Sequence, residues 1–152
     1  MKNEAVVSSV LIRNPLGLSL VFESQDGFAA LPGGSNEHGE ALEDTAVREA
    51  LEETSLRVKI KKLVASYNLS VFNPDGTLKC KFRHYLFLAS TVDSKPSPSS
   101  EWKGTRAKCK WIEPKDLQQY KGVWPLPEKV RRGVSEGRTE LGDLGELKYQ
   151  VK

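Results

Sequence analysis

Apolar and polar positions alternate in a way that divides the chain into strands, one amphipathic helix and turns. Apolar-rich runs near Ala5 to Ile12 and Leu18 to Glu23 read as strands, and Asn14-Pro15-Leu16-Gly17 between them carries the proline and glycine of a turn. A short extended segment at Ala29 to Leu31 then leads into a glycine pair. From about Gly39 to Thr54 the period changes, because Leu42, Ala46, Val47, Ala50 and Leu51 form an apolar arc at helical spacing. Two long strands follow, near Leu56 to Val71 and Leu78 to Val92, joined by the turn residues Asn73-Pro74-Asp75-Gly76. Ser94 to Ser100 is rich in serine and proline and reads as a mobile loop. Lys108 to Ile112 reads as a last strand, Pro114 to Tyr120 as a short helical start, and Pro127 to Val134 as a further helix. The mixture suits an α/β fold, an α/β/α sandwich around a mixed β-sheet.

The polar side of the predicted helix is the more informative one. Glu49, Glu52 and Glu53 stand at i, i+3 and i+4 and share one face. A like-charged i, i+4 pair costs a few tenths of a kcal/mol, so the cluster is better explained by a cation held against it. Several carboxylates offer hard oxygen ligands, which suit Mg²⁺ or Mn²⁺ rather than zinc. Such ions bridge phosphate oxygens and stabilise charge while water attacks phosphorus, so the implied reaction is hydrolysis of a phosphoanhydride. Arg48 cannot bind a cation, but its guanidinium can hold neighbouring carboxylates. Glu40 lies near the helix N-terminus, where the macrodipole favours a negative charge, and this structural role is the preferred reading. Glu37 and Glu43 read as solvated, and His38 as decorating the turn.

Composition narrows the class. A chain of 152 residues with 38% hydrophobic content suits one domain over 1–152 with a proper core. The N-terminus lacks the order of a signal peptide and no apolar run reaches membrane-spanning length, so a soluble cytoplasmic protein with no membrane partner is expected. Cys80 and Cys109 are widely separated and read as reduced, buried thiols. Residues 31 to 56 carry a local charge of −6, and with the whole chain at +3 the remainder sums to +9. An acidic site in a basic body suits a phosphate-rich small molecule. The basic residues are scattered without a recognised nucleic-acid module, so nucleic acid is not the expected partner. Tyr67, Phe72, Phe82, Tyr85, Trp111 and Trp124 are candidates to stack on a nucleobase, although strand aromatics are more often core.

Gly34, five residues, Glu40, seven residues, Arg48-Glu49, Ala50, one residue and Glu52-Glu53 resemble the Nudix box, which here runs over 34–56. Leu31-Pro32 before the glycines agrees with that family. The resemblance implies the Nudix-type sandwich and hydrolysis of substrates in which a nucleoside diphosphate is linked to another group. It implies Glu49, Glu52 and Glu53 as metal ligands with the carbonyl of Gly33, and Arg48 as the residue that orients the glutamates. It also suggests a general base in the loop before the last strand, for which Glu101 is the candidate, with Glu52 the alternative within the box. Three positions depart from the pattern: Ser55 replaces the closing glycine, Ala29 stands where many relatives carry an aromatic, and Glu23-Ser24 where many carry arginines.

A MutT-like hydrolase of nucleoside triphosphates or dinucleoside polyphosphates is the expected activity. An ADP-ribose or nucleotide-sugar pyrophosphatase is the alternative within the enzyme class, and a noncatalytic nucleotide-binding module the alternative outside it. A homodimer is an assembly open to such a chain.

Overall fold

The computed structural model describes residues 5–93 and 107–151. Its elements are β1 (Ala5–Arg13), β2 (Ser19–Glu23), β3 (Phe28–Ala30), β4 (Gly33–Ser35), α1 (Leu42–Thr54), β5 (Lys59–Phe72), β6 (Leu78–Ser90) and β7 (Lys108–Ile112). A 3-10 helix (Pro114–Gln119), β8 (Gly122–Trp124), α2 (Glu128–Ser135) and β9 (Gly142–Gln150) complete them. The segment expected to be a mobile loop, Ser94 to Ser100, and Glu101 lie outside the described residues.

The strands form one nine-stranded sheet in the order β8-β3-β2-β1-β6-β5-β9, with β4 on β1 and β7 on β2. It is mixed: β1–β6, β3–β8 and β5–β9 are parallel, the other pairs antiparallel. Alternation along β1 and β2 sends successive side chains to opposite faces. Leu11 and Val21 pack with Val130 and Val134 of α2, whereas Val10, Ile12 and Leu20 pack with Ala46 and Ala50 of α1. One helix therefore covers each face, giving the α/β/α sandwich.

Pairing on β1 positions the acidic helix. One edge of β1 runs in parallel register with β6 along its whole length, from Ala5↔Phe82 to Arg13↔Ser90. The other edge is shared, with Arg13↔Ser19 joining β2 and Val7↔Ser35 to Ser9↔Gly33 joining β4. The glycine pair is thus strand rather than turn, fixed in front of α1. At the far ends of the strand order the sheet curls until Trp124 of β8 meets Tyr149 of β9 edge-on, with ring centroids 5.2 Å apart.

Several expectations need correction. The helix begins at Leu42, not near Gly39, because Gly39 takes φ +78°, a left-handed conformation that no helix accommodates. Leu51, expected in the apolar arc, is 45% exposed. Neither cysteine forms a disulfide among the described residues, but Cys80 is exposed and Cys109 only partly buried. Strands β4, β8 and β9 were not anticipated by the residue pattern.

Candidate metal-binding active site

Helix α1 is anchored by its small residues. Thr45, Ala46, Ala50 and Thr54 are buried, and the Thr54 hydroxyl donates to the Ala50 carbonyl at 2.6 Å. Ser55 ends the helix at φ 65°, the left-handed geometry that glycine usually supplies, and its N–H bonds the Leu51 carbonyl at 2.9 Å. With that face fixed, Arg48, Glu49, Glu52 and Glu53 are presented towards β4.

All five N–H bonds of the Arg48 guanidinium find acceptors. Nε donates to Glu40 Oε2 at 2.8 Å, and Nη2 donates to Glu40 Oε1 and to the Ser35 carbonyl, both at 3.1 Å. Nη1 donates to Glu49 Oε1 at 3.0 Å and to Glu52 Oε2 at 3.1 Å. Glu40 also accepts from the Thr45 hydroxyl at 2.7 Å and the Glu37 N–H at 3.1 Å. Its carboxyl is held down to about 2, first by Arg48, then by Thr45 and the Glu37 amide. Arg48 is pushed further up by Glu40 above all, with Glu52 and Glu49 adding to it. Glu40 is therefore more than a charge at a helix end: it ties the loop before α1 to the arginine that grips two glutamates.

Glu53 turns the other way. Its Oε1 accepts from the Gly33 N–H at 2.9 Å, linking the helix to β4. The glycines are required by space rather than by φ. A Cβ on Gly34 would lie 2.4 Å from the Glu49 carboxylate, and one on Gly33 would lie 2.5 Å from the Ser8 carbonyl oxygen. Among the described residues, no three acidic, histidine or cysteine side chains converge tightly enough to form a ready ligand set, since Arg48 and the Gly33 amide hold the three glutamates. The donors are nonetheless carboxylate oxygens beside a backbone cleared of side chains, and such a set fits Mg²⁺ or Mn²⁺ in kind. Glu49 is mostly covered, its side chain 16% exposed, whereas Glu52 reaches solvent at 52%.

A cleft of about 450 Å³ opens along β3. Phe22, Phe28, Trp124 and Tyr149 wall it, and Ala29 and Ala30 line its β3 side. Only Leu31 and Pro32 separate Ala30 from Gly33, so the two Cα atoms lie no more than roughly 11 Å apart. Ala29 supplies no aromatic ring; Phe28, one residue earlier, does. Of the six aromatic residues proposed for stacking, Trp124 lines the cleft, while Tyr67 and Phe82 are buried in the core. Tyr149 was not among them, because its place depends on the curl of the sheet. Glu23, at an arginine position of many relatives, instead accepts from the Tyr120 hydroxyl at 2.7 Å and from Lys110 at 3.3 Å.

Comparison with known proteins agrees with the box. Nucleoside diphosphate-linked moiety X motif 6 of Mus musculus is 28% identical over 119 residues, covering 78% of this chain and 36% of the relative. An ADP-ribose pyrophosphatase of Methanocaldococcus jannaschii is 46% identical over 50 residues, 33% of this chain and 30% of the relative. The chain thus spans about a third of the length of these curated relatives. Among solved structures, the MutT protein of Bacillus halodurans superposes with a TM-score of 0.67 at 19% identity, covering 96% of this chain and 90% of that one. An ADP-ribose pyrophosphatase of Streptococcus suis superposes at 0.61 with 17% identity, covering 95% and 98%. These two likenesses speak to the fold. A model of the NUDIX domain matches residues 2–132, and the chain belongs to the NUDIX domain family.

Proposed function

We propose that the chain hydrolyses a phosphoanhydride in a nucleoside di- or triphosphate derivative, with Mg²⁺ or Mn²⁺ held by Glu49, Glu52, Glu53 and the Gly33 carbonyl. The observation that carries this reading is the Arg48 arrangement: one guanidinium grips Glu40, Glu49 and Glu52 against a glycine strand that continues into an aromatic cleft. A bound divalent ion would neutralise charge on the phosphate oxygens at the reacting phosphorus. Arg48 keeps Glu49 and Glu52 oriented, and Glu53 keeps β4 against the helix. The aromatic walls hold the flat part of the substrate and exclude water around it. Proton transfer from the attacking water falls to Glu101 or, within the box, to Glu52.

The chain acts in this reading as one Nudix domain over 1–152, in the cytoplasm, as a monomer or homodimer, on a small nucleotide-type substrate rather than nucleic acid. Among the described residues no helix is long and apolar enough to cross a membrane. The M. jannaschii relative favours a second reading, an ADP-ribose pyrophosphatase, because its identity of 46% is the higher figure even though it covers only 50 residues.

A panel of nucleoside triphosphates, dinucleoside polyphosphates, ADP-ribose and nucleotide sugars, incubated with Mg²⁺ and with Mn²⁺ and resolved chromatographically for the nucleotides and phosphomonoesters formed, with pyrophosphate measured for the triphosphates, tests both. Turnover of triphosphates to monophosphate and pyrophosphate supports the first reading, and preference for ADP-ribose the second. No turnover of any substrate with either ion would leave the noncatalytic module.

A further inference from the structure

Three of the hydrogen bonds that Arg48 donates run away from Glu49 and Glu52, two to the Glu40 carboxylate and one to the Ser35 carbonyl. Both acceptors lie within residues 35–40, where β4 gives way to α1. The helix itself does little to hold this segment, because Ala41 at its N-cap position makes no side-chain cap. Asn36 and Thr45 hold it instead. The Asn36 N–H donates to the Val6 carbonyl of β1 at 2.8 Å, and because a peptide unit is planar this bond also fixes the Ser35 carbonyl. Asn36 Nδ2 donates to the Glu40 carbonyl at 2.8 Å and to Thr45 Oγ1 at 2.9 Å, which uses both amide hydrogens and sets the orientation of the amide. Thr45 is fully buried, and its hydroxyl, having accepted from Asn36, has one hydrogen to give. That hydrogen goes to Glu40 Oε1 at 2.7 Å rather than to the Ala41 carbonyl at 3.3 Å, because the nearer, charged acceptor is the stronger one.

A line of contacts therefore runs from β1 through Asn36, Thr45 and Glu40 to Arg48. Glu40 receives the Arg48 fork through both oxygens, Oε2 from Nε and Oε1 from Nη2, and a guanidinium is a rigid plane. Holding Oε1 through Thr45 and the Ser35 carbonyl through Asn36 thus fixes where Nη1 lies. Nη1 is the group that reaches Glu49 at 3.0 Å and Glu52 at 3.1 Å. Among the described residues neither Asn36 nor Thr45 bonds Glu49 or Glu52 itself, so their influence passes through Arg48. Both stand at free positions of the 34–56 box, Asn36 between Gly34 and Glu40 and Thr45 between Glu40 and Arg48.

We propose that Asn36 and Thr45 are positioning residues of the metal site: they fix the Ser35 and Glu40 oxygens that set the Arg48 plane, and through it the spacing of Glu49 and Glu52 as ligands for a divalent ion. The proposal rests on the reading of these glutamates as metal ligands.

Mn²⁺ titration followed by electron paramagnetic resonance, together with hydrogen exchange of the Arg48 Nε–H followed by NMR in EDTA, tests it without turnover. Thr45→Val keeps the shape of the side chain and loses the hydroxyl. It should weaken Mn²⁺ binding about 10-fold, the scale of a residue that orients a ligand, and speed exchange at Arg48. Thr45→Ser, which keeps the hydroxyl, should return both towards wild type. Asn36→Ala, at a half-buried position, should act in the same direction as Thr45→Val and carries the test if that variant does not fold. Added to Glu40→Gln, Thr45→Val should cost little more, because both act on one carboxylate. Variants with a lowered melting temperature but wild-type Mn²⁺ affinity and Arg48 exchange would show a purely structural role and overturn the proposal. Equal losses in Thr45→Ser and Thr45→Val overturn it for Thr45, since the hydroxyl is then not the cause. Wild-type protein that binds no Mn²⁺, or binds it no better than Glu53→Gln does, overturns the metal reading and this proposal with it.

Discussion

Glu40 Oε2 accepts from Arg48 Nε at 2.8 Å, a contact between the loop that precedes the acidic helix and the arginine at that helix's centre. The pair settles how two like-charged glutamates are kept side by side. Arg48 gives its two Nη1 donors to Glu49 and Glu52 because Glu40 fixes its plane from the other side. Glu40→Gln keeps the length of the side chain but weakens that grip. It should lower metal affinity or activity by about 10- to 100-fold, the usual scale for a residue that orients a ligand. Titration of activity against Mg²⁺ measures it, and an unchanged Mg²⁺ requirement and kcat would remove Glu40 from the site. Because its carboxyl is held down to about 2, the ion pair survives acidification until pH approaches that value.

Glu53→Gln should abolish turnover in Mg²⁺ while leaving the fold nearly unchanged. The substituted amide keeps an oxygen that can accept from the Gly33 N–H, so the tie between α1 and β4 is retained while a charged ligand is lost. A rate equal to wild type on the best substrates counts against the ligand assignment. Glu53→Ala, by contrast, removes the tie as well and should lower the melting temperature.

Ser55 carries a Cβ at φ 65°, where glycine pays no steric penalty. Ser55→Gly should therefore stabilise the protein by about 1 kcal/mol, less the backbone entropy that glycine loses on folding. For a chain of this size that is an increase of about 2–4 °C in Tm. A thermal melt that moves downward would show that the serine makes a compensating interaction at the helix end.

His84 is fully buried, with Tyr67 tilted against it at 4.9 Å and Phe82 edge-on at 6.2 Å, and neither ring nitrogen has a hydrogen-bond partner among the described residues. Burial lowers its pKa from 6.5 to about 3. In this window the unfolded chain binds the proton and the folded chain does not, so stability is full above about pH 6.5 and is lost as pH falls towards 3. The slope approaches about 1.4 kcal/mol per pH unit. Urea midpoints at pH 7.5 and pH 5 should differ in the wild type, and His84→Phe should flatten that difference. If the variant keeps the wild-type slope between pH 6.5 and pH 5, other groups are responsible.

What the sequence reveals depends on how local the cause is. The helical period of Ala46 and Ala50, the alternation of β1 and β2 and the bounds of Lys108–Ile112 are all local, and the structure follows them. Gly33–Ser35 becomes a strand only because β1 offers an edge, and a glycine pair has no strand preference of its own. Strand β9 is mostly polar and contains Gly142 and Gly145 at positive φ, so its pairing with β5 leaves little trace in the residue pattern. Tyr149 enters the aromatic cleft through the same long-range curl. The glutamate face is legible because its i, i+3, i+4 spacing is a property of one helix. The grip of Glu40 on Arg48 is not, since a loop conformation sets it.

The last prediction concerns the general base, with Glu101 and Glu52 as the two candidates. Glu52 is half exposed and bound through both oxygens to Arg48 Nη1, at 3.2 and 3.1 Å, so it must share its lone pairs with a cation to accept a proton. With those lone pairs occupied by Arg48, its position is fixed beside Glu49, which suits it to holding a metal. Glu101 follows a Ser/Pro-rich segment and precedes Trp111, and it has no role in the box. Glu101→Gln should therefore lower kcat by roughly 100-fold or more with KM changed far less, the scale of a positioned base. Glu52→Gln should instead raise the Mg²⁺ concentration needed for half-maximal rate. Both variants are compared at saturating nucleotide across a Mg²⁺ series. If Glu101→Gln keeps most of its kcat while Glu52→Gln collapses at every Mg²⁺ concentration, the base lies within the box.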